Sequence, residues 1–124
     1  MGHPFSLKKL LRSVGYAVSG LKTAFRSEQN FRIHAVAALT VVLLAFIFRV
    51  TVYEWGIIIL CISAVTGAEL INTAIEKICN LVHPQTDARV KQIKDISAAA
   101  VLLVAAGALI VGLLIFIPRV INLI

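Results

Sequence analysis

Gly67-Ala68-Glu69-Leu70-Ile71-Asn72-Thr73-Ala74-Ile75-Glu76 sets two carboxylates and an amide inside a long apolar run, which starts near Tyr53 and fades after Ile78. At helical spacing Glu69, Asn72 and Glu76 stand at i, i+3 and i+7, so they share one face. An Asp at the centre of a membrane helix costs roughly 2.5–3.5 kcal/mol on insertion scales, and less near an interface. Two carboxylates on such a helix therefore need a reason. One reading is structural, a buried ion pair plus a Glu snorkelling from the helix end. The other, which the cost favours, is a polar functional site at the membrane boundary.

Composition sets the surroundings of that stretch. The chain has 124 residues, of which 60% are hydrophobic and 15% charged. A soluble domain of this length carries more charge and fewer apolar runs. There is room for three spans of about 20 residues each and little else. The predicted fold is an all-α membrane protein, one domain over 1–124, with spans at about 31–48, 54–78 and 95–117. The net charge of +6 raises the question of nucleic acid. The basic residues flank apolar runs rather than form one exposed stripe, so membrane orientation explains them and no nucleic-acid partner is expected. Cys61 and Cys79 lie in or beside one span and read as small buried apolar residues, not as a disulfide or metal pair.

Residues 1–28 lack the apolar core and small-residue cleavage site of a signal peptide. Instead Leu7, Leu10, Leu11, Val14, Ala17, Val18, Leu21 and Phe25 recur at helical spacing, with Lys8, Lys9, Arg12, Lys22 and Arg26 on other faces. This pattern predicts a basic amphipathic helix over about 6–26, lying in the membrane interface. A plain anchor is its simplest role. Within it, Gly15 to Thr23 approximates the phosphate-loop pattern G-x-x-x-x-G-K-[ST]. Leu21 breaks the spacing and no strand precedes it, so the stretch is not a phosphate loop.

Ser27 to His34 forms a polar hinge into the first span. Alone, Glu28 reads as a solvated carboxylate, and His34 as a satisfied polar residue near the headgroups. Arg49 to Trp55 makes a brief turn, where Tyr53 and Trp55 suit an interfacial belt. Residues 79–93 are polar, broken at His83-Pro84; Lys94-Asp95 opens the third span and Pro118-Arg119 stops it. Six Lys/Arg lie in the segment through Arg32 and four between Lys77 and Lys94, against Arg49 and Arg119 on the other side. Ten against two puts the N-terminus in the cytoplasm and the C-terminus outside. Glu28, Glu69, Glu76, Lys94 and Asp95 then gather near the cytoplasmic boundary.

That set suits phosphoryl transfer. Two carboxylates can hold Mg²⁺, which favours one or two carboxylates plus phosphate oxygens and waters. A lysine offsets phosphate charge, and a third carboxylate accepts the proton of an attacking hydroxyl. A proton-coupled transporter or small multidrug exporter could use the same Glu pair, so spacing leaves both classes open.

Three blocks narrow the choice: Glu69-Leu-Ile-Asn72-Thr-Ala-Ile-Glu76, the hinge Glu28-x-x-Phe31-Arg32, and Lys94-Asp95-x-x-Ala98-Ala-Ala-Val101. In this order the chain resembles the prokaryotic diacylglycerol kinase and undecaprenol kinase family, from Gly15-Tyr16 into the third span. The resemblance implies three transmembrane helices and an N-terminal surface helix, assembled as a homotrimer in the cytoplasmic membrane. It further implies active sites at the cytoplasmic interface, drawing residues from neighbouring protomers, with ATP as co-substrate and Mg²⁺ as cofactor. By the same resemblance Glu69 is the general base on the lipid hydroxyl, and Glu28 and Glu76 are Mg²⁺-binding carboxylates beside the nucleotide. Lys94, Asp95 and Tyr16 match nucleotide-binding positions, and Asn72 a polar residue close to the reacting groups. Phe31 and Arg32 border the path of the lipid. Lys9 lies where some members have an arginine on phosphate or lipid, and a lysine cannot supply its bidentate fork.

For the lipid, Asn30-Phe-Arg-Ile-His34 and the His83-Pro84 loop look more like undecaprenol kinases. The diacylglycerol branch tends to carry an acidic residue at the position of His34. Undecaprenol is the expected substrate and diacylglycerol the alternative.

Overall fold

Helix α1 spans Leu7–Ser27, α2 Gln29–Ile47, α3 Val52–Val82 and α4 Ala88–Leu123 in a computed structural model that describes residues 4–83 and 85–124. No strand occurs among the described residues. Helices α2, α3 and α4 are each long and apolar enough to cross a membrane. Gly15 to Thr23 lies wholly inside α1, so its backbone N–H groups are taken up in helical bonds and cannot wrap a phosphate. Cys61 and Cys79 are free thiols, about 27 Å apart along one helix and far beyond disulfide reach.

A one-residue hinge separates α1 from α2. Ser6 caps the start of α1, its hydroxyl accepting from the Lys9 N–H at 3.3 Å. At the other end Glu28 turns extended, and its N–H donates to the Ala24 carbonyl at 2.9 Å. Arg32 Nη1 reaches back to the carbonyls of Phe25 and Arg26 at 2.9 and 3.0 Å, two of the acceptors that a helix end leaves without partners. Ala24 and Phe31 are buried on either side. The hinge is held by both backbone and side chain.

The α2–α3 turn is fixed by two motifs back to back. Val50 N donates to Ala45 O at 3.2 Å and Arg49 N to Phe46 O at 3.3 Å, the paired bonds of a Schellman ending, with Arg49 in the left-handed region at φ 52. Val50 and Ala45 are both buried in one cluster, the hydrophobic contact that accompanies this motif. Thr51 then opens α3 with a capping box: its hydroxyl accepts from Glu54 N at 3.2 Å and Glu54 Oε1 accepts from Thr51 N at 3.0 Å, which satisfies two donors reciprocally. Helix α3 has therefore begun before Tyr53, and the expected turn is shorter than its sequence suggests.

The main apolar core lies at this end. Ala45, Val50, Ile58 and Ile115 are buried together, with Phe48, Trp55 and Phe116 packed around them. Phe46 meets Trp55 edge-on at 4.8 Å between ring centres. Glu54 also forms a two-pronged pair with Arg119 near the end of α4, one bond measuring 2.7 Å. Both side chains are about three-quarters or more buried, at 26% and 20% exposure. A pair between the exposed and fully buried cases is worth about 1–3 kcal/mol to break. We expect Arg119→Met to lower the melting temperature in detergent by about 4 °C per kcal/mol lost. Adding Glu54→Gln should then cost less than it does alone. Additive losses in calorimetry would show that the two residues act separately.

At the opposite end both helices run into the stretch expected to be loop. Only His83 to Asp87 separates α3 from α4. His83 ends α3, while Pro84, its expected partner in the break, lies outside the described residues. Asp87 caps α4 by accepting from Arg89 N at 2.7 Å. Its carboxyl is held below the ordinary range, first by the Arg89 side chain, so this contact stabilises at neutral pH and is lost in acid. Lys94 and Asp95 thus sit two turns inside α4 rather than at its start. Nor does α4 stop at Pro118; it continues to Leu123. Pro118 has no N–H to give the Leu114 carbonyl, and Arg119 Nη1 donates to a different carbonyl, that of Ile115, at 2.9 Å; membrane helices carry proline more readily than soluble ones.

Candidate active site

The inward face of α3 changes character along its length. Ile58, Val65, Glu69, Thr73 and Cys79 are its buried positions; the steps of seven, four and four from Ile58 to Thr73 stay on one side. Near the turn this seam is aliphatic; from Glu69 onward it is polar. The same holds for α4, where Ile115 is buried at one end and Ser97 at the other. Lys94, one turn before Ser97, is half-buried on that inward face.

Glu69 is the most enclosed charged group, with a side chain 4% exposed. Its Oε1 lies 3.0 Å from Nε2 of His34 on α2. The structural alternative raised by the sequence is thus met in part, because buried Glu69 has a half-buried partner. Asn72 donates from Nδ2 to Glu76 Oε1 at 3.3 Å. Its own Oδ1 is buried without a partner. An unpartnered buried acceptor is costly, and here it sits between the two carboxylates in sequence.

The remaining expected residues are placed around this line without touching it. Lys94 Nζ donates to Asn80 Oδ1 at 2.7 Å, bridging α4 to the end of α3. Asp95 points away and pairs with Lys91 at 2.6 Å. Glu28 sits at the α1–α2 hinge and makes no side-chain cap. Tyr16 and Lys9 are exposed on α1. Phe31 is buried and Arg32 engages the end of α1, so both shape the hinge. Among the described residues no ion pair joins Glu28, Glu76 and Lys94 to one another. No group of three potential metal ligands occurs there either.

Sequence reasoning assigned no role in the site to His34, and to Asn80 none at all. The register of α2 against α3 explains why the first arrives there. Ala45 and Ile58 share the core cluster; eleven residues back along α2 is His34, and eleven forward along α3 is Glu69. Eleven residues are close to three full helical turns, so both steps return to the facing side at matching depth.

Fold and site together define an all-helical membrane protein whose polar seam collects carboxylates, an amide and a lysine at one end of three apolar helices. The family model described as prokaryotic diacylglycerol kinase matches residues 15–116. The chain is 37% identical over 117 residues to an undecaprenol kinase of Bacillus subtilis, covering 94% of this chain and 95% of that one. It is 35% identical over 115 residues to a diacylglycerol kinase of Synechocystis sp., covering 92% and 66% of the two chains. A diacylglycerol kinase of Helicobacter pylori is 35% identical over 96 residues, 77% of this chain and 75% of the relative. The chain belongs to the prokaryotic diacylglycerol kinase family and is a membrane lipid kinase. Family membership favours this over the transporter reading.

Proposed function

We propose that the protein transfers the γ-phosphoryl group of ATP to the hydroxyl of undecaprenol, making undecaprenyl phosphate. The observation that carries the reading is the buried Glu69 at the head of the polar seam. Taking Val52 as one edge of a hydrocarbon layer about 30 Å thick, Glu69 lies about 26 Å in, Asn72 about 30 Å and Glu76 about 36 Å. A lipid hydroxyl at headgroup depth can reach the first, and a water-soluble nucleotide the last. Glu69 acts as general base, and Asn72 places its free Oδ1 beside the reacting groups.

Glu28 and Glu76 are the carboxylates for Mg²⁺. Hard oxygen donors suit that ion, which takes one or two carboxylates and completes its shell with phosphates and water; among the described residues neither carboxylate is engaged in an ion pair. Bound there, the ion would neutralise charge on the phosphates during transfer. Lys94 sets its charge against the phosphates, while Asp95 and Tyr16 hold the rest of the nucleotide. Lys9 reaches the headgroup region, and Phe31 and Arg32 border the lipid's path by fixing the hinge. Helix α1 lies on the cytoplasmic surface as an amphipathic helix, with the N-terminus inside. Among the described residues no ion pair joins Lys94 to Glu28 or Glu76; the family resemblance supports a homotrimer in which neighbouring protomers complete each site.

Undecaprenol is favoured by the named relative matched end to end at 37% identity. Diacylglycerol is the alternative, because several relatives carry that name. Transfer of labelled γ-phosphate, with each lipid offered separately in mixed micelles, decides between them. The expected result is the faster rate with undecaprenol; a faster rate with diacylglycerol overturns the lipid assignment.

A further inference from the structure

We propose that His34 is the route by which the proton collected by Glu69 leaves the site, an inference that rests on the reading of Glu69 as base. Glu69 alone has no path to water, its side chain being 4% exposed. His34 touches it at 3.0 Å through Nε2 and is itself 31% exposed. The imidazole is held there by the register of the α2–α3 hairpin, five residues inside the polar start of α2 at Gln29, or about 7.5 Å. One group is buried and reactive, and the other is its contact with the wet boundary.

The proton balance is simple. The lipid O–H gives its proton to a Glu69 carboxylate oxygen as the oxygen bonds to phosphorus and the bridge to the leaving nucleotide breaks. In the Nδ1–H tautomer, the lone pair of Nε2 takes that proton from Oε1 and Nδ1–H releases one to water. Proton exchange with water then returns the neutral ring to its starting tautomer for the next turnover. The 3.0 Å separation between Oε1 and Nε2 lets the proton cross directly, without an intervening water. The other polar groups nearby do not compete. Glu76 Oε1 accepts from Asn72, and Arg32 is engaged with the carbonyls of Phe25 and Arg26.

The test separates relay from mere contact. His34→Gln fills the space and keeps a polar end but cannot pass a proton; His34→Ala leaves room for a small base. We expect kcat to fall about tenfold or more in both, a fraction of the general-base effect, with KM for ATP and lipid unchanged. Added imidazole should restore His34→Ala several-fold in a concentration-dependent way and leave His34→Gln slow. A wild-type kcat in His34→Gln, or no rescue of His34→Ala, overturns the relay. Glu69→Gln measured alongside keeps the failures apart: normal turnover in that variant removes the base itself, whatever His34 does.

Discussion

Glu69→Gln is expected to lower kcat by about 10²–10⁴-fold, the usual contribution of a positioned general base, or about 3–5 kcal/mol of transition-state stabilisation. The substitution keeps the shape of the side chain and an oxygen facing His34, but it removes the basic lone pair that takes the lipid proton. Stability should move the other way. A carboxylate 3% exposed between helices is expensive to bury, and a neutral amide relieves that cost. The variant should therefore melt no lower than the parent in detergent, with unchanged helical circular dichroism. Loss of activity without loss of fold is the signature of a residue kept for chemistry at the expense of stability. Near-normal turnover would falsify the assignment of Glu69 as base and leave the His34 contact as a half-buried pair with a structural role.

How much of this was legible in the sequence follows the physics of each signal. The three apolar helices were readable because hydropathy and length are local properties; Val52–Val82 and Ala88–Leu123 contain their expected spans, and Gln29–Ile47 ends one residue short of its own. Their ends were less readable. Asp87, Arg89 and Lys91 make the stretch after Ile78 look like loop, yet lysine and arginine are good helix formers, so both helices continue beyond the apolar segment. Pro118 misled as well: it stops a helix in water, whereas α4 continues through it to Leu123, and proline is more frequent inside membrane helices than soluble ones. The face bearing Glu69, Asn72 and Glu76 was legible, being set by spacing within one helix. The His34 contact was not, because it depends on the register of two helices, fixed by the Arg49 left-handed turn and by Ala45 against Ile58. Neither determinant is apolar periodicity or a motif.

The second large effect is expected at the other end of the seam. Glu28→Ala and Glu76→Ala should each reduce activity at fixed Mg²⁺ by an order of magnitude or more and shift the Mg²⁺ titration to higher concentration. Mg²⁺ is held by one or two carboxylates together with phosphates and water, so removing either carboxylate weakens the site without abolishing it, and excess metal should recover part of the rate. Glu28 stands at the hinge, where Arg32, not its own side chain, ties down the end of α1, so its removal should leave the fold intact. Glu76 differs in one respect. It accepts from Asn72 Nδ2, and Glu76→Ala frees that amide beside an Oδ1 already without a partner. Its loss should therefore disturb the placement of Asn72 as well, giving the larger fall in kcat and the smaller recovery at high Mg²⁺. A titration curve unchanged in both variants would overturn the metal assignment. An equal, fully recoverable shift in both would confine their role to holding the ion and remove Asn72 from the reacting groups.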